Sequence, residues 1–155
     1  MPDTERLWEA PGHATGRWHN VFVQIRTGEA TVETLGQIET SARLMRAQQI
    51  GPRGALFIKG PGAPPMVSRV AVLQREMISG LESDRLLHAC GVVEGDGLSD
   101  IAQRVALRVI LSTKRFVVRS TVGAGALWVV SSIGSPHEAR ALAEFVESLR
   151  PARSA

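Results

Sequence analysis

The sequence has no tyrosine, one cysteine, two lysines and seven aromatic residues in all. A single thiol, Cys90, excludes an intramolecular disulfide and any all-cysteine metal site. The aromatics are scattered and no cluster of bases surrounds them, so the stacking pattern of a dedicated nucleic-acid binder is missing. No specific nucleic-acid partner is expected. Long hydrophobic runs are also lacking: the longest, Val122 to Val130, is nine residues with its two glycines counted. A spanning helix needs roughly 20. The opening residues carry Asp3, Glu5 and Glu9 and no apolar secretory segment, so a cytoplasmic protein with a reduced thiol is expected. Sixteen of the 18 bases are arginine, a bias that goes with GC-rich bacterial genomes, and the net charge is only +3.

What is present suits one globular domain: 155 residues, 44% hydrophobic and 21% charged. Residues 1–17 read as an arm or edge strand anchored by Trp8, residues 18–150 as an α/β domain, and residues 151–155 as a tail. Trp18 to Ile25 reads as a strand, and Thr31 as the N-cap of a helix to about Ile50 that buries Leu35, Ile38, Ala42 and Met45. Ala55 to Ile58 is a buried strand. A helix over about 65–79 follows, with Pro65 in its first turn and Val67, Val70 and Met77 inward. Leu86 to Val93 is a third buried strand. Leu98, Ala102, Val105, Val109 and Phe116 fall on one helical face, which predicts a long helix to about Val118. A loop over 122–126, a strand from Leu127 to Ser132 and a last helix complete the chain. Ser135-Pro136-His137-Glu138 reads as that helix's capping box. Alternation of this kind predicts a mostly parallel sheet covered by helices.

Motifs for chemistry are sparse. Gly95 and Gly97 follow a strand, but Glu94 and Asp96 set negative charge where a pyrophosphate would sit. Lys59-Gly60-Pro61-Gly62 lacks the order of a phosphate-binding loop, and its prolines remove amides. Glu94, Asp96 and Asp100 could surround a cation, but they read as complements of a helix dipole. His13, His19, His88 and His137 share no ligand spacing. His88 and Cys90 project to one side of a strand, where a core histidine and an inert thiol are the expected pair. No catalytic residue, cofactor or metal is assigned.

Along the predicted long helix a second apolar line, Leu107, Leu111 and Val118, runs roughly opposite the core face, beside Arg104, Arg108 and Arg115. These six residues form a candidate interface for a partner or for self-association, with the leucines as centre and the arginines as rim.

Val21 to Glu29, then the helix at Thr31, together with Ala89-Cys90-Gly91-Val92-Val93-Glu94-Gly95 before the helix with Arg104, resemble the STAS/Sec14-like superfamily in its SpoIIAA-like branch. The resemblance covers most of residues 18–149. It implies a STAS-like α/β domain with a four- or five-stranded, mostly parallel or mixed sheet and about four helices. It also implies a non-enzymatic regulatory protein working through protein–protein contacts. Some relatives in that superfamily switch by phosphorylation of a serine at the start of a helix. Here Pro64-Pro65 stands where an Asp-Ser pair is expected, which leaves Ser68 as the candidate. The Sec14-like side implies an alternative: a binder of a small apolar or amphipathic ligand between helices and sheet. A sizeable apolar cavity near Pro64, Met66 and Met77 would favour that alternative; a closed core would favour protein contacts.

Overall fold

A computed structural model describes residues 3–110 and 114–151. The N-terminal residues alternate well enough to pair: β1 (Thr4–Ala10) and β2 (His13–Trp18) are antiparallel strands joined through Pro11-Gly12. The expected arm is therefore an edge strand followed by a second, inner strand. The chain then turns at His19, whose φ is +49°, so Trp18 closes β2 and does not open the next strand. β3 (Val21–Arg26) is buried along its whole length, as a central strand covered on both faces must be.

α1 (Val32–Ala47) starts where Thr31 predicts. Thr31 Oγ1 accepts the Thr34 N–H at 3.2 Å, and Thr34 Oγ1 accepts the Thr31 N–H at 2.8 Å, a reciprocal cap. β4 (Arg53–Lys59) lies parallel to β3, and β5 (Leu87–Val93) lies parallel to β4. Between them α2 (Ser68–Glu82) begins three residues later than expected, which leaves Pro65 ahead of the helix and makes Ser68 its first residue.

α3 (Leu98–Ile110) is shorter than the predicted helix to Val118. Phe116–Arg119 is instead β6, parallel to β5 with Phe116 opposite Ala89. The same residues satisfy both periods: Phe116 and Val118 alternate inward on a strand as readily as they extend a helical stripe. With no glycine or proline between Ile110 and Phe116, the sequence carries no stop signal.

The predicted loop over 122–126 and strand over 127–132 are one helix, α4 (Val122–Ser132), capped by Thr121 Oγ1 on the Ala124 N–H at 3.2 Å. Gly125 is not a loop residue. A Cβ there would lie 2.7 Å from Val92 Cγ2, so the glycine lets the helix backbone settle on the sheet. α5 (Ala139–Leu149) buries Leu142, Val146 and Leu149 as expected, but its N-cap is Glu138, with no side-chain bond. Ser135 Oγ accepts the His137 N–H at 3.2 Å in a local turn before the helix, so the capping box expected there is absent.

The described residues thus form a six-stranded mixed sheet in the order β1-β2-β3-β4-β5-β6 with five helices, more strands and helices than expected. One face carries Val21, Val23, Ile25, Leu56, Ile58 and Val92, packed against α4 and α5. The other carries Phe22, Ala55, Ala89 and Phe116 and meets α1, α2 and α3.

Candidate functional site

The two faces are covered differently. Under α4 the packing is close enough that even a methyl at Gly125 would collide. On the opposite face the side chains of β5 are small, Ala89 and then Gly91, and a Cβ at Gly91 would meet nothing closer than 4.0 Å. The principal backbone neighbour of α2 is α1, so the helix stands off the strands. These features leave a cavity of about 330 Å³ between sheet and helices. Phe57, Ala89, Gly91 and Phe116 form its floor, and Ile38, Met77, Ile78, Leu81 and Leu107 supply its helical walls. The half-buried Met66 and the exposed Pro65 and Arg75 carry the lining toward solvent.

Polarity is concentrated where β3 and β4 end. Arg26 and Lys59 are register partners there, both buried, with Gln24 two residues before Arg26 on the same face. Lys59 Nζ donates to Asp100 Oδ1 at 3.0 Å. That bond holds the Asp100 carboxyl below the usual carboxylate range against the opposing effect of its burial, with help from the amides of Gly97 and Gly62. Asp100 thereby ties the loops after β4 and β5 together. Arg26 Nη1 donates to Pro64 O at 2.7 Å and Gly28 O at 2.9 Å. Burial lowers the pKa of the guanidinium from its high ordinary value, and no carboxylate among the described residues pairs with it.

The six candidate interface residues do not share a helix face. Arg104 turns inward, donating Nε to Val93 O at 3.0 Å and Nη2 to Gly95 O. Leu107 lines the cavity, Arg108 is exposed on α3, and Leu111 lies outside the described residues. Arg115 lies beyond α3 and donates to the carbonyls of Glu82, Asp84 and Leu87, while Val118 is buried in β6. The expected core row of α3 is the one facing outward: Leu98 and Val109 are 87% and 76% exposed, and Ala102 and Val105 between them are exposed too. Ser68 is exposed at the start of α2.

Cys90 is fully buried and its thiol is pushed up to about 12 by that burial, so it stays protonated at neutral pH and is no nucleophile there. Glu94 is taken by Arg150 at 2.8 Å and Asp100 by Lys59, which dissolves the imagined carboxylate cluster. Among the described residues no three His, Cys, Asp or Glu side chains are grouped to hold a metal ion. Sequence spacing could not show that His19 and His137 stack, ring centroids 3.6 Å apart, with Trp18 edge-on to both. Burial, followed by the neighbouring His137, lowers the pKa of His19.

The cavity was legible only as an option. Gly91 within an otherwise apolar strand was the available signal, since glycine in a buried strand often marks a close approach or a vacancy. No helix among the described residues is long and apolar enough to cross a membrane. No protein-family model, curated protein or solved structure matches the chain.

Proposed function

We propose that the protein binds a small apolar or amphipathic molecule between its sheet and the helices α1, α2 and α3. One observation carries this reading: the apolar cavity of about 330 Å³ beside Met66 and Met77. Its volume falls at the lower end of the roughly 300–1,000 Å³ typical of small-molecule sites. The mostly apolar walls with a few polar groups at one end match the general make-up of such sites.

Gly91→Leu tests the reading because the new side chain would project into the cavity without a backbone clash. Wild type is expected to bind the uncharged dye aminoanthracene saturably, with enhanced fluorescence. The variant is expected to lose that binding and to gain about 0.5–2 kcal/mol of stability from the filled space. Equal binding by the two proteins, or none by wild type, overturns the proposal.

A second reading, self-association, is favoured by the exposed row Leu98, Ile101, Val105 and Val109 on α3. Exposed Asp96 precedes this row and exposed Arg108 lies near its end, so two copies meeting antiparallel would bring opposite charges together. Sedimentation velocity is expected to show a wild-type dimer and a monomeric Ile101→Glu/Val105→Glu variant. A monomeric wild type removes this reading.

A further inference from the structure

Among the described residues three side chains with a formal charge are buried, Arg26, Lys59 and Asp100, and all lie at one end of the cavity. Lys59 and Asp100 neutralise each other at 3.0 Å. Arg26 remains as a buried cation without a counter-charge, an arrangement that is costly when left uncompensated. Its two hydrogen bonds, to Pro64 O and Gly28 O, both use Nη1. They fix the guanidinium in place through the loop after β4 and the turn after β3. The other edge, Nε with Nη2, has no acceptor among the described residues, and the residue as a whole is only 5% exposed. Arg26 lines the cavity, and Nε–Nη2 is the edge that the loop carbonyls leave unused.

We propose that the ligand is an anion, a small monocarboxylic acid whose apolar body lies among Phe57, Met77, Ile78 and Leu107 and whose carboxylate is received by Arg26. This rests on the cavity being a ligand site, and it adds the chemical class. A guanidinium edge offers two parallel N–H donors that match the two oxygens of a carboxylate. One uncompensated positive charge calls for one negative charge. Among the described residues Asp100 is the only buried carboxylate, and it is already engaged by Lys59 and by the amides of Gly62 and Gly97, so it does not compete for Arg26.

Isothermal titration calorimetry with octanoate, octanol and octylammonium at neutral pH separates the possibilities. Octanoate is expected to bind wild type at least about tenfold more tightly than octanol, the contribution of a charge-assisted pair, and octylammonium more weakly still. Arg26→Gln is expected to abolish the preference for the acid over the alcohol. Octanol binding as tightly as octanoate, or octylammonium binding best, overturns the anion while leaving the cavity reading intact. Failure of all three to bind wild type overturns both. A folded Arg26→Gln variant that keeps the preference removes Arg26 as the receiving group. Arg26 also holds two loop carbonyls, so folding of the variant is checked by circular dichroism, and the wild-type comparison of acid and alcohol decides the head group by itself.

Discussion

At Gly36 and Gly125 the same substitution has opposite expected outcomes. Both are helical, but a methyl at Gly36 on the exposed face of α1 meets nothing within 4 Å. Gly36→Ala is expected to stabilise by about 0.5–1 kcal/mol by removing backbone freedom from the unfolded chain. At Gly125 the added carbon would lie 2.7 Å from Val92 Cγ2 and 3.0 Å from Leu56 Cδ1, so either those side chains or α4 must shift. Gly125→Ala is expected to cost about 1–3 kcal/mol, measured by urea unfolding. Charge behaves as locally. Asp100 is favoured in its ionised form by Lys59, so its folded pKa lies below its unfolded one. The stabilisation is present above the ordinary carboxylate range and fades as the pH falls below about 4. Asp100→Asn is expected to melt at a lower temperature than wild type at neutral pH, with the gap narrowing on acidification through that range. The sequence marks Asp100 as an acidic residue in the first turn of a helix, and it occupies that turn. Its partnership with Lys59, 41 residues earlier, exists only after β4 and β5 align.

The elements that could be read were those with one consistent signal. β3, β4, β5 and α1 have apolar patterns with clear stops at both ends, and each lies within a few residues of its expected place. α3 and α4 mislead for physical reasons. Phe116 and Val118 satisfy two periods at once, and the Val129-Val130 pair with glycines before it resembles a strand after a loop, although the segment is a helix with one buried face. In α3 the polar Asp100, Gln103 and Arg104 turn inward to the strand ends and the cavity, while the apolar row turns outward, so reading the apolar face as core inverts the helix. Capping offers a direct check. Thr31 accepts an amide of its own helix in a reciprocal cap, whereas Ser135 only closes a turn ahead of α5. Thr31→Ala is expected to cost about 1 kcal/mol, and Ser135→Ala distinctly less, in parallel thermal melts.

Across the whole molecule, one side of the sheet is filled and the other is hollow. The binding-site reading depends on that difference, and it could not be had from any local stretch of sequence. The floor comes from β4, β5 and β6, the walls from α1, α2 and α3, and the charged end from the last residues of β3 and β4. Only the assembled layers define the space. Strand order along the sheet is also the order along the chain. During synthesis each strand can therefore add to a neighbour that has already emerged. The hollow side acquires its helices as the sheet grows. The opposite side, with Trp18, Val21, Ile25, Leu56 and Val92, stays uncovered until α4 and α5 leave the ribosome. A chain ending at Arg119 keeps every strand and the Arg26 pocket, and is expected to collect in the insoluble fraction because that apolar surface has nothing over it. Recovery in soluble form on adding residues 120–151 as a separate peptide would show that the two late helices act as the lid of nascent-chain solubility.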